Sequence, residues 1–222
     1  SIRVMNEKRT VLQAFSELRA ADPPPISGLD ALVVYQAMLM DEPKRFTDKL
    51  KALNEELRTC IQKGVSPFPK GVKRILVSGC PSVAGNWKLH YLIESAGAVV
   101  VADETCTGSR YFANLVEESS DGVDGMLDRI AERYMKINCS CFTPNDGRIE
   151  DVLRMVKTFR AHGVVQYILQ YCHTYNIEAI RVEYALKKAG LPSIKIETDY
   201  SSEDQGQLST RIEAFLELIG QK

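Results

Sequence analysis

The sequence predicts an α/β fold: a doubly wound, mainly four-stranded parallel sheet with flanking helices and an N-terminal helical segment. Three observations predict it. From Lys73 onward, short apolar runs alternate with segments of helical period. The runs are nearly continuous in β-branched residues, as in strands buried on both faces, rather than alternating in and out. The connections are short, and glycines close several of the helices. Residues 1–71 read as a helical segment that packs on, or leads from, a domain outside this sequence, and residues 72–222 as the α/β domain.

Taken in order, Ser1–Ala21 has helical periodicity through Val4, Val11, Leu12, Phe15 and Leu18. It begins without a cap, as if cut from a longer polypeptide, so a C-terminal fragment or split subunit is expected. Pro23, Pro24 and Pro25 stop it. Ser27 or Gly28 can cap a helix over Leu29–Met40, and another is expected over Pro43–Lys63, with proline in its first turn. Gly64–Gly71 is a linker into the first strand, Arg74–Ser78. Helix Trp87–Ser95 closes on Gly97, and Ala98–Ala102 is the second strand. These two strands and their helix make a right-handed βαβ unit. Tyr111–Leu115 leads to an acidic loop at 117–122 and a helix over Val123–Ile137. Asn138–Asn145 is rich in turn formers. Asp146 is expected to cap helix Arg148–His162, which Gly163 ends. Strand Val164–Leu169, helix Tyr175–Ala189 closed by Gly190, strand Ser193–Thr198 and helix Leu208–Ile219 complete the chain.

The bulk numbers narrow the function classes. The chain has 222 residues, 45% of them hydrophobic, enough for a full core. A net charge of −1 supplies no basic field for nucleic acid. No apolar run approaches the roughly 18 residues of a membrane helix, and no signal peptide opens the sequence. A soluble, cytoplasmic protein is expected, and in that compartment six cysteines point to metal or catalytic chemistry rather than a disulfide framework.

Cys80, Cys106 and Cys172 each follow an apolar run, and Cys141 (or Cys139) sits in a turn that opens a helix. Ligands of open α/β sheets lie beyond the carboxyl ends of the strands. Thiols there are expected to be partly exposed near helix N-termini, which favour thiolate. Soft thiolates are the ligands of iron–sulfur clusters. The competing reading makes each cysteine a small buried apolar residue. Zinc fits less well, because paired C-x₂-C units are lacking. Cys60, in a polar helix, reads as structural. His173 is a candidate proton or hydrogen-bond donor beside Cys172. Arg110, with the Thr107–Arg110 turn, is a candidate anion site, and Asp103 and Glu104 are candidates to orient it. Trp87 reads as packing, and His90 and His162 carry no role. A flavodoxin-like binder of a phosphorylated ligand at the Gly108–Arg110 turn is a further reading, and no G-x-G-x-x-G follows the first strand, which weakens a dinucleotide reading.

Several stretches together carry a family resemblance: ADPPPISGLDAL, GCP and NWK, VADETCTGSRYF, CSCFTPN, LQYCHTYNIE and IKIETDYS. They resemble the 2-hydroxyacyl-CoA dehydratase D-components and benzoyl-CoA reductase subunits, with the double-cubane-cluster proteins as the most similar branch. The resemblance covers essentially the whole chain. It implies two similar α/β domains with an iron–sulfur cluster between them, [4Fe–4S] or an [8Fe–9S] double cubane, and a dimeric arrangement. It implies electrons from an ATP-dependent activator, spent on radical dehydration of an acyl-CoA, on ring reduction, or on a small molecule. Carried over, Cys172, Cys106 and Cys141 are the implied ligands, with Cys80 as a further candidate. The first domain, which ordinarily supplies about half the ligands, is missing, so the isolated chain is expected to hold an incomplete cluster or none and to be inactive alone. A non-catalytic α/β docking domain is the alternative of a different class.

Overall fold

Four parallel strands lie in the spatial order β2-β1-β3-β4: β1 (Lys73–Gly79), β2 (Ala98–Glu104), β3 (Gly163–Leu169) and β4 (Ser193–Thr198). The computed structural model describes residues 1–118 and 122–220, so 119–121 of the acidic loop lie outside the described residues. Strand order reverses at β1, so the C-terminal ends of β1 and β3 flank the switch point where such sheets bind ligands.

The helices are α1 (Ile2–Leu18), α2 (Gly28–Met40), α3 (Pro43–Lys63), α4 (Lys88–Ser95), the short α5 (Ser109–Phe112), α6 (Gly122–Met135), α7 (Asp146–Phe159), α8 (His173–Lys188) and α9 (Gln205–Gly220). On one face α4 and α9 set Leu89, Ile93, Ile212 and Phe215 against Ile75, Val77, Val100 and Val165. On the other, α7 and α8 set Val152, Val156, Val182 and Leu186 against Leu76, Val99, Val101 and Val164. Burial on both faces is why the strands read as unbroken apolar runs. Among the described residues, no helix is long and apolar enough to cross a membrane.

The first 71 residues build a third core from Leu12, Phe15, Tyr35, Met38, Phe46 and Leu50, joined by Phe112 of α5. This core is sewn to the edge strand β2 by buried polar contacts. Arg19, directly after α1, donates to the Val100 carbonyl (2.8 Å), to Asp103 (3.0 Å) and to the Tyr35 hydroxyl (3.1 Å). His90 meets the other oxygen of Asp103 at 2.6 Å. Burial opposes a charge on Asp103, but His90 and Arg19 outweigh it and hold its carboxyl below the usual range. Gly28 lets α2 approach closely, since a Cβ there would stand 2.5 Å from Val100 Cβ.

Several local expectations change. The helix over Arg148–His162 ends at Phe159, where Arg160 takes the left-handed conformation (φ 49°), and Gly163 opens β3 instead. Asn145, not Asp146, is the N-cap of α7, and its side chain is spent elsewhere. Trp87 is half exposed rather than packed. His90 and His162 both serve the fold: His162 Nδ1 accepts the Arg74 N–H at 3.0 Å.

Asp103→Ala strands a buried guanidinium and is expected to cost about 3–5 kcal/mol, read by urea denaturation. A carboxyl with a lowered folded-state pKa contributes stability above the unfolded value and loses it as pH falls through the folded one. The deficit of the variant therefore shrinks below about pH 4. A cost under about 1 kcal/mol at neutral pH would count against this pairing.

Candidate functional site: a thiol rim over a buried ion network

The C-terminal edge of the sheet gathers five of the six cysteines. Cys80 follows β1, Cys106 follows β2, and Cys172 follows β3 at the N-cap of α8. The Cys139–Cys141 turn precedes α7, which runs back from this same edge; Ser140 Oγ lies 3.1 Å from Thr174 Oγ1 of α8. Cys60 lies apart, in the last turns of α3.

Within the rim the thiols fall into two neighbourhoods. The first centres on the Tyr175 hydroxyl, a buried group 3.8 Å from Cys106 Sγ and hydrogen-bonded to the Cys139 thiol. Arg110 donates to Tyr175 and reaches Cys106 Sγ at 3.4 Å. Burial opposes ionisation of Cys139, but Cys141, Arg110 and Tyr175 outweigh it and lower its pKa. The hydrogen bond to Cys139 raises that of Cys141.

The second neighbourhood is at the switch point, where the thiols of Cys80 and Cys172 meet. Cys80 departs from the expected partial exposure: it is buried, its Sγ accepts the Leu169 N–H at 3.3 Å, and burial pushes its thiol up to about 12. Gly79 makes this approach feasible, because at φ 141° a Cβ would lie 2.0 Å from the Tyr167 carbonyl oxygen. Beside Cys172, Tyr171 is 85% exposed and held at φ 66°, a strained conformation for a bulky residue.

Arg110 and His173 differ sharply in setting. Arg110 is buried, and its donors are engaged by Glu104 (2.6 Å to Oε1), the Glu104 and Gly79 carbonyls, Cys106 and Tyr175. The turn N–H groups of Gly108, Arg110 and Tyr111 are likewise spent on backbone carbonyls. The turn therefore directs one cation at a thiol rather than offering an open anion cradle. His173 is exposed in the first turn of α8, beside Cys172.

Sequence reasoning missed the layer beneath the rim. Arg148 of α7 is fully buried and binds Glu178 of α8, Ser78 Oγ (3.2 Å) and Glu104 (3.4 Å). Ser78 also donates to Glu104 at 2.6 Å, and Asn145 donates to Glu178 at 2.5 Å. Two carboxylates and two guanidinium groups thus balance in a dry layer. Arg148 and Glu178 are charged residues in helices, a type that ordinarily faces water. The available signal was the acid pair Asp103–Glu104 at the end of an otherwise apolar strand, of which Glu104 does orient Arg110.

The thiols suit a soft metal centre in kind, being sulfur donors on one rim with a guanidinium to offset negative charge. They do not suit a single ion: among the described residues no three His, Cys, Asp or Glu side chains gather closely enough to hold one. A cubane differs, because each thiolate binds a separate iron at a different corner.

A family model described as 2-hydroxyglutaryl-CoA dehydratase, D-component, matches residues 1–219. The chain is 37% identical over 221 residues to a putative dehydratase subunit, YjiM, of Escherichia coli K12. It is 26% identical over 220 residues to the (R)-phenyllactyl-CoA dehydratase beta subunit of Clostridium sporogenes. It is 28% identical over 229 residues to subunit beta of (R)-2-hydroxyglutaryl-CoA dehydratase of Acidaminococcus fermentans. Each comparison covers 99% of this chain but 56% of the relative, so the chain spans a little over half of their length.

The two neighbourhoods should separate in thiol chemistry. With a pKa of about 12, Cys80 is about one part in 10⁴ thiolate at pH 8. Iodoacetamide is expected to label Cys139 well before Cys80, followed by peptide mass spectrometry. Comparable rates for the two in the folded chain would contradict the geometry described.

Proposed function

The chain belongs to the 2-hydroxyglutaryl-CoA dehydratase D-component family, and from that premise we propose that it is the cluster-bearing portion of a 2-hydroxyacyl-CoA dehydratase subunit. The observation that carries this reading is the convergence of five thiols on one sheet edge. Cys106, Cys172 and one of Cys139 and Cys141 would bind an iron–sulfur cluster, with Cys80 as a further donor. When bound, such a cluster supplies an electron at low potential. An ATP-dependent activator would deliver that electron, and the substrate would be an acyl-CoA or another reducible small molecule.

The chain's own residues have definable tasks in this reading. Arg110 offsets thiolate charge at Cys106 and is itself fixed by Glu104. Tyr175 offers its hydroxyl to the sulfurs of Cys106 and Cys139. The balanced layer of Glu104, Arg110, Arg148 and Glu178 keeps water from the underside of the rim and fixes the turn after β2 relative to α7 and α8. His173, exposed beside Cys172, is placed to exchange protons with solvent or substrate.

The naming of relatives as subunits supports a companion for this chain. A sister subunit, or the remaining part of a longer polypeptide, would complete the ligand set. Ile177, Ile180 and Tyr184 form an exposed stripe along α8, about 70% accessible, and supply an apolar surface for such a companion. The same stripe favours the second reading, a docking domain without a cluster.

Anaerobic reconstitution with iron and sulfide, in the presence of the companion portion, separates the two. Cys106→Ser and Cys172→Ser are each expected to remove at least half of the bound iron and the visible charge-transfer absorbance. Iron content unchanged in both variants would leave only the docking reading.

A further inference from the structure

We propose that a hollow between the turn after β1 and the loop after β4 is a subsite for the purine ring of a nucleotide-bearing substrate or coenzyme. The hollow, about 260 Å³, is lined by Trp87, Tyr91 and Tyr200 together with Asn86, Ser202 and Gln205. Single exposed aromatic residues are ordinary. Here three, exposed by 50, 56 and 58%, border one concavity, and aromatic rings gathered at one concavity make a platform on which a flat ring stacks.

One of those rings is held in place. The Trp87 indole N–H donates to Gln36 Oε1 at 3.0 Å, and the Gln36 amide donates to the Val83 carbonyl at 2.9 Å. The ring's orientation is therefore held before any ligand arrives, which lowers the entropic cost of stacking. Asn86 donates to the buried Tyr167 hydroxyl at 2.6 Å and ties the same turn to β3.

The charges narrow the ligand class. Among the described lining residues Lys88 is the only cation. Its ammonium is engaged by Thr198 Oγ1 (2.6 Å), the Ser201 carbonyl (2.7 Å) and Asp204 (2.6 Å). That leaves no cation facing the hollow to bind phosphate. The amide and hydroxyl groups of Ser202 and Gln205 instead suit a neutral ring with polar edges. Phosphates of the same ligand would lie outside, towards solvent.

Two sources carry this chemistry: the adenine of a CoA thioester and that of a free nucleotide. The first deepens the dehydratase reading and rests on it; the purine site itself does not.

Trp87 is the only tryptophan of the 222 residues, so its emission reports on the site directly. Adenosine, CoA and ATP are titrated separately into the chain. Saturable quenching by adenosine is expected, and Tyr200→Ala should weaken its apparent Kd about fivefold to a hundredfold, the range for one lost base–aromatic stack. Tyr91→Ala serves as an independent second variant; both side chains are more than half exposed, and far-UV circular dichroism confirms that the fold is kept. CoA binding more tightly than ATP assigns a CoA ligand, and the reverse assigns a free nucleotide. No saturable change with adenosine at millimolar concentration, or quenching equal in both tyrosine variants, overturns the proposal and leaves the aromatics as a protein contact. Iron content of the cysteine variants is measured separately, so failure here leaves the cluster reading untouched.

Discussion

The buried pairing of Glu104 with Arg110 and Arg148 is the constraint on which the rest of this structure depends. Glu104 ends the edge strand β2 at 2% exposure, where an unpaired carboxylate would be very costly. Arg110 arrives from the turn that carries Cys106, and Arg148 from the helix that follows the Cys139–Cys141 turn. One carboxylate thus fixes two thiol-bearing turns against a single strand end. Glu178 then draws in α8, whose N-cap is Cys172. Glu104, Arg110, Arg148 and Glu178 share one charge-balanced layer, and the segments that carry the last three bring Cys106, Cys139, Cys141 and Cys172 to the rim above it.

A second buried pairing does the corresponding work on the side of β2. Arg19 and His90 converge on Asp103, the residue before Glu104, from a helix end and from α4. Adjacent residues of one strand alternate between faces. Asp103 therefore ties in the N-terminal helices and α4, while Glu104 ties in α7 and α8. Two consecutive acids organise opposite sides of the sheet. The edge strand is covered in the process, since Arg19 satisfies the Val100 carbonyl and α2 lies close over it through Gly28.

The thiols above this frame are not equivalent, and burial is the reason. Cys80 lies under the switch point, closed in by β3, whereas Cys141 projects to solvent and Cys106, Cys139 and Cys172 are intermediate. Burial opposes negative charge on the Cys139 sulfur, but Cys141, Arg110 and Tyr175 together favour it. Among the described residues, no such cation is in hydrogen-bond contact with the switch-point pair, Cys80 and Cys172. The rim thus has a buried inner side at Cys80 and an exposed outer side at Cys141.

The α/β architecture, the strand and helix order and the location of the cysteines at strand ends were legible in the sequence, because each rests on local periodicity or on a general rule of parallel sheets. The runs at Val99–Val101 and Val164–Ile168 admit little besides a buried strand. Tertiary structure decided which charged residues go inside. Arg19, Arg148 and Glu178 sit in amphipathic or helix-terminal contexts that ordinarily face water; only partners distant in the chain, Asp103 at 84 residues and Glu104 at 44, make their burial affordable. It also decided that Cys80 is sealed while Cys106 touches a guanidinium, and that Trp87 stands half open. Local sequence sets the period of an element. The sign and distance of a buried partner are set only when the elements meet.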